Sequence, residues 1–286
     1  MWVRTRAVVA GGVALVVLAA VGIWIVVRQV GGQLRLPLAS RTCTVQADGR
    51  VSLDADQMAN AATIAAIGIQ RKMPERAVVV ALATAYQESG LRNLTGGDRD
   101  SVGLFQQRPS QGWGTPEQIR DPRYAAGKFY AGLKKVRGWE QMRVTDAAQK
   151  VQRSAFPEAY QKWADESEVL TRALVGHATG AVACTVGRDP AMRGEAAASA
   201  LTRGLTLDWG LAGASTVADL TGLTVPAADE RRGWRYAHWL VSHAQDHGVK
   251  RVRFGDLEWT ARGGTWNRTD DAAADGRVVA EVFAEA

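Results

Sequence analysis

The sequence predicts three parts: an N-terminal single transmembrane helix, an all-α domain, and a small C-terminal α+β domain. Three observations predict them. An uncharged run extends from Ala7 to Val27, apolar residues recur at helical spacing through much of residues 51–186, and short alternating runs follow a Trp-bearing helix beyond residue 187. Helices and strands repeat their faces every 3.6 and every 2 residues, so the two patterns separate the middle of the chain from its end. The expected limits are 1–28 for the anchor, 29–50 for a stalk, 51–186 for the all-α domain and 187–286 for an α+β module of unknown function.

The apolar run is bracketed by Arg4 and Arg6 on one side and Arg28 on the other. Its twenty-one residues, at about 1.5 Å each, reach roughly 31 Å, the thickness of a hydrocarbon core. It is longer than the apolar core of a usual signal peptide, and no clear cleavage signature follows it. A retained span is therefore expected, with cleavage near Leu38-Ala39-Ser40 as the alternative. Arginines on both sides leave the positive-inside rule undecided. A single span so close to the N-terminus ordinarily leaves the long C-terminal part outside, which sets the expected location: cell membrane, single-pass, C-terminal domains extracellular. Arg28 to Gly49 holds glycines, a proline and few periodic apolar residues, as a short stalk would.

Asp54 and Gln57 have the spacing of a capping box, and Met58, Ala61, Ala62, Ala65 and Gly68 then share one helical face. The second helix runs from Glu75 to Ser89, with Pro74 where a first-turn proline is tolerated and Gly90 as a left-handed stop. Thr95 to Thr115 is a long polar loop, a length that favours function over simple connection. Asp121-Pro122 starts a third helix ending near Val136, Thr145 another through Ala155, and Pro157 the last, with Tyr160, Trp163, Ala164, Leu170 and Leu174 facing the core. In the C-terminal part, Asp189-Pro190 opens a helix to about Arg203, a strand lies around Thr216 to Val225, and Asp229 begins a helix that stops at Gly248. Strands are expected over Val249 to Phe254, Leu257 to Ala261 and Val278 to Phe283.

Glu88 falls in the last turn of the second helix. The unpaired carbonyls there carry partial negative charge, which disfavours an ionised carboxylate, and burial beside Leu82, Ala85 and Leu91 pushes the same way. A carboxyl kept protonated near neutral pH is the general acid that glycan cleavage needs. The structural alternative is a solvated residue at a helix end.

Gln87-Glu88-Ser89 followed by Gly103-Leu104-Phe105-Gln106 resembles the Glu-Ser and Gly-Leu-Met-Gln motifs of lytic transglycosylases and goose-type lysozymes, and Gly97-Asp98-Arg99 resembles the Gly-Asp-Arg of the goose-type branch. The resemblance covers roughly Ser52 to Val175. It implies a lysozyme-like fold for residues 51–186, with Glu88 as the catalytic acid, Ser89 holding the glutamate or the sugar, and Gln106 against the glycan. Ala147-Ala148-Gln149 lies where the family has Ala-Ala-Tyr-Asn, so Gln149 stands at the site of a tyrosine that touches the acid, and Tyr160 matches a later tyrosine. Asp98 is the candidate second carboxylate, which an inverting hydrolase needs to position water and a transglycosylase does not. Arg108 replaces another goose-type aspartate. Asp98 and Asp100 read alternatively as turn-capping residues, and Gln106 as an exposed loop amide.

The implied activity is cleavage, outside the membrane, of the β-1,4 bond between N-acetylmuramic acid and N-acetylglucosamine in peptidoglycan, by transglycosylation. An inverting lysozyme using Asp98 and a non-catalytic glycan-binding scaffold are the alternatives. The implied partner is the peptidoglycan strand, with cell-wall proteins reaching the C-terminal module. In that module Trp234-x-x-Ala237-x-Trp239, Gly248-Val249 and Glu258-Trp259-Thr260 faintly resemble a domain found beside actinobacterial cell-wall peptidases, without its upstream metal motif.

Formal net charge is +6, and setting aside Arg4, Arg6 and Arg28 leaves 32 basic against 29 acidic residues. No basic stripe interleaved with aromatics marks a nucleic-acid partner. Cys43 and Cys184 bracket the lysozyme-like segment, and outside the cell such a pair reads as one disulfide, with two buried thiols as the alternative. No cofactor or metal is expected. His243 and His247 sit four apart but away from the apolar face, as on a solvated helix surface.

Overall fold

In a computed structural model of the chain, residues 42–154, 156–187, 189–211, 215–216, 221–271, 273 and 276–285 are described. The apolar run Ala7 to Val27 lies outside them. β1 (Thr42–Gln46) and β2 (Arg50–Asp54) form an antiparallel hairpin whose inward residues are Cys43, Val45, Val51 and Leu53. Asp54 ends the hairpin and caps α1 (Ala55–Gln70): its carboxylate accepts the Gln57 N–H at 2.9 Å, and its own N–H donates to the Gln57 side chain at 3.0 Å. α2 (Glu75–Ser89) starts after Pro74 and stops at Gly90, whose φ of +62° is the left-handed stop expected there.

A loop follows, then α3 (Pro116–Ile119), α4 (Pro122–Leu133, capped by Asp121), α5 (Val144–Gln152) and α6 (Ala164–Leu174). α4, α5 and α6, together with α1, pack around α2, which is buried continuously from Ala77 to Tyr86. β3 (Val182–Cys184) returns to β1, so the first sheet has the order β2-β1-β3. Cys43 faces Cys184 in that register, and the two form the expected disulfide.

The remainder comprises α7 (Gly194–Trp209), β4 (Ser215–Thr216), β5 (Gly222–Pro226), α8 (Glu230–Ser242), α9 (Ala244–His247), β6 (Val249–Phe254), β7 (Leu257–Thr260), β8 (Trp266–Arg268) and β9 (Arg277–Val282). Its strands pair antiparallel in the order β4-β5-β9-β6-β7-β8. α7 and α8 lie between this sheet and α1. One apolar core consequently runs from Cys43 to Val282.

Two expectations are corrected. The fold is mixed α/β with two antiparallel sheets, and the segment taken as an all-α, lysozyme-like domain contributes strands at both of its ends to a three-stranded sheet. These strands are three to five residues long, and β1 lies inside the stretch taken as a stalk. The second correction concerns the transmembrane helix: among the described residues no helix is long and apolar enough to cross a membrane, so the structure gives a single-pass anchor no support. Helix limits also shift. Arg153 takes φ +55° and ends α5 after Gln152, and α6 starts at Ala164 after a 3-10 turn at Gln161–Trp163.

His243 is not solvated. It is buried where the two halves meet, with Nε2 3.3 Å from Thr63 Oγ1. Thr63 donates to Asp208 at 2.9 Å, Trp239 Nε1 donates to the same carboxylate oxygen at 2.7 Å, and Arg123 is its ion-pair partner. The Arg123 charge and the two donors on Oδ2 offset part of the cost of burying this carboxylate, and burial still raises its pKa.

Candidate active site at Glu88

α2 delivers Glu88 from the buried interior to the protein surface, one residue before the helix ends. Its carboxyl is half-buried. The phenol of Tyr160, itself fully buried, donates to Glu88 Oε1 at 2.7 Å, and the Gln152 amide lies near enough to the same carboxyl to favour its charged form. Burial pushes the Glu88 pKa above the ordinary range; Tyr160 and Gln152 favour the charged form and offset part of that rise. Burial and the neighbouring Glu88 raise the Tyr160 pKa in turn, so the phenol remains a donor.

The Gly-Leu-Phe-Gln turn packs against this helix end. Val102 and Gln107 exchange backbone hydrogen bonds at 3.0 and 3.1 Å and close a four-residue loop between them. Gly103 has φ +79°, and a Cβ there would meet the Ile119 carbonyl oxygen at 2.7 Å, so the turn requires glycine. Leu104 and Phe105 are buried, the latter stacked on Phe129 with ring centroids 4.8 Å apart. Ser89 Oγ donates to the Leu104 carbonyl at 2.7 Å, and Gln152 Nε2 to that of Phe105 at 2.8 Å. Ser89 therefore ties the turn to α2.

Gln106 folds back, donating to Gly103 O at 3.2 Å, with its amide oxygen against Gly97. Gln149 does not touch Glu88. It donates to the Ser154 carbonyl at 2.7 Å and closes the chain after α5, and the acid is reached by Gln152, which the sequence reading missed. The signal was present in the helical spacing, since residues three apart share a face. Asp98 has an 88% exposed side chain, with Arg99 Nε 3.9 Å away. Asp100, by contrast, accepts from Ser110 N at 2.8 Å, Ser110 Oγ at 3.1 Å and Arg108 Nε at 2.9 Å, which holds its pKa well below the usual carboxylate range. Arg108 thus pins the loop where a goose-type enzyme would place an acid.

Trp163 donates to Gln87 at 3.1 Å and stacks on Tyr86 at 4.8 Å, bracing the helix end from the other side. Among the described residues no group of three or more His, Cys, Asp or Glu side chains is arranged to hold a metal ion. No protein-family model matches the chain, and no curated protein matches it in sequence.

Proposed function

We propose that this protein is a lytic transglycosylase acting on peptidoglycan outside the cytoplasm. The observation that carries the proposal is the Glu88–Tyr160 pair: a half-buried carboxyl with a raised pKa, one oxygen of which is occupied by a phenol. With Oε1 accepting from Tyr160, the acidic proton resides on Oε2. Glu88 gives that proton to the glycosidic oxygen as the bond to the anomeric carbon breaks. The resulting carboxylate then takes the proton of the muramic acid C6 hydroxyl as that oxygen attacks the anomeric carbon, forming the 1,6-anhydro ring and restoring Glu88. One residue serves as acid and base, and no water is consumed.

The exposed, loosely paired Asp98 favours this route over hydrolysis, because a group that orients water across the ring has to be held in place. The Cys43–Cys184 disulfide fits an oxidising compartment, where the polymer lies. Incubation of wild type, Glu88→Gln and Asp98→Asn with purified sacculi, followed by mass spectrometry of the released muropeptides, tests the proposal. Wild type and Asp98→Asn are expected to release anhydro products, and Glu88→Gln to lose at least about a hundredfold in rate. Reducing-end products together with a dead Asp98→Asn variant identify an inverting hydrolase instead, and glycan binding without cleavage by wild type identifies a scaffold.

A further inference from the structure

A groove of about 810 Å³ opens beside the acid and shares Gln152 with it. Lys135, Arg137, Lys150 and Arg153 line it, and no carboxylate does. All four side chains are exposed, and none forms an ion pair among the described residues; Asp146, the acid one turn before Lys150, is held by two hydrogen bonds from Arg143. Concave walls focus the field of such a cluster, and each arginine fork matches a carboxylate. Trp113, Val136 and Met142 add an apolar side to the same groove. The backbone supplies a second, independent sign. Arg153 keeps a left-handed φ of +55°, a conformation for which glycine or asparagine is better suited, yet an arginine lines the groove there.

We infer that this groove is an anion subsite that takes the carboxylates of peptide stems carried by the glycan. The inference rests on the glycan-cleaving reading of Glu88 and adds which strands are preferred. Gln152 reaches both the acid and the groove, so a strand seated at Glu88 places its neighbouring substituents along the cationic wall. Stems present free carboxylates together with alanine methyl groups, and the groove pairs cations with apolar surface. Phosphodiester wall polymers share the negative charge but have less use for the apolar side.

The test uses the full chain carrying Glu88→Gln, so that binding is read without cleavage, in co-sedimentation with three polymers: intact sacculi, sacculi stripped of stems by an amidase, and sacculi freed of phosphodiester polymers by hydrofluoric acid. Binding to intact and acid-treated sacculi is expected to be at least about tenfold tighter than to stripped strands, and to weaken with salt. Arg137→Gln/Lys150→Gln and, separately, Arg153→Gly are expected to bring that ratio close to one. The glycine variant suits the local backbone, so its loss of preference does not come from misfolding. Equal binding to stripped and intact strands overturns the inference, as does binding that disappears with the phosphodiester polymers. In parallel, chains with Glu88 intact are assayed for cleavage: cleavage without stem preference removes the subsite and leaves the catalytic proposal standing, whereas stem preference without cleavage does the reverse.

Discussion

Acidification from pH 7 to pH 5 is expected to destabilise the folded protein through His238 and His243. His238 is buried between α8 and the first sheet, where its Nε2 accepts the Ala181 N–H at 2.9 Å and its Nδ1–H donates to the Ala173 carbonyl at 2.8 Å. Both nitrogens are committed in the neutral form, and burial lowers the pKa from 6.5 to about 4. His243 is lowered to about 4 as well, by burial first and by the nearby Arg123 charge in addition. A depressed histidine contributes its stability in full above the unfolded value of 6.5 and loses it as pH falls towards 4, because the unfolded chain takes up the proton and the folded chain does not. At pH 5 each imidazole then costs about 2 kcal/mol, or about 4 kcal/mol for the pair, a substantial part of an ordinary domain stability. Glu88 and Asp208, whose pKa values are raised, act in the opposite direction and reduce the net effect. Urea midpoints at pH 7, 6 and 5 measure the sum, and imidazole NMR shifts isolate the histidines. A His238 or His243 ring that titrates near 6.5 in the folded protein refutes the reasoning.

Tyr160→Phe removes the donor to Glu88, which favours the carboxylate, so the alkaline limb of the pH–rate profile is expected to move upward while kcat falls about tenfold or more through lost positioning; an unmoved limb counts against the pairing. Replacing both Cys43 and Cys184 by serine opens a loop of sequence separation 141 and is expected to lower stability by at most about 5 kcal/mol, read as a lower urea midpoint that reductant no longer affects.

The parts of the fold legible in the sequence are those with strong local punctuation. The Asp54 capping box, the Pro74 and Gly90 limits of α2 and the Asp121 cap are local chemistry, and each lies where the spacing placed it. β1 and β3 were not legible, because strands of five and three residues gain their identity from partners far along the chain. α1 held a signal that went unread: Ala61 to Gly68 is buried all round, as expected of a helix covered on both sides, here by α2 with α4 and by α7 with α8. At the site, the Gly-Leu-Phe-Gln turn packs on the helix end that carries Glu88, and Ser89, expected to hold the glutamate or the sugar, bonds the Leu104 carbonyl of that turn. The exchange of Gln149 for Gln152 depends on where α5 ends, and that is decided by the left-handed Arg153, for which composition offers no cue.

The Cys43–Cys184 bond has a mechanical meaning. A pull applied at the start of β1 meets a covalent bridge one residue in, at Cys43, and passes across it to Cys184, where the chain leaves for α7. Tension between the two ends of the folded part therefore runs through the bridge and around the loop that contains α2, Glu88 and the groove. A load applied between those ends would bypass the helices inside the loop, which would otherwise unravel one at a time.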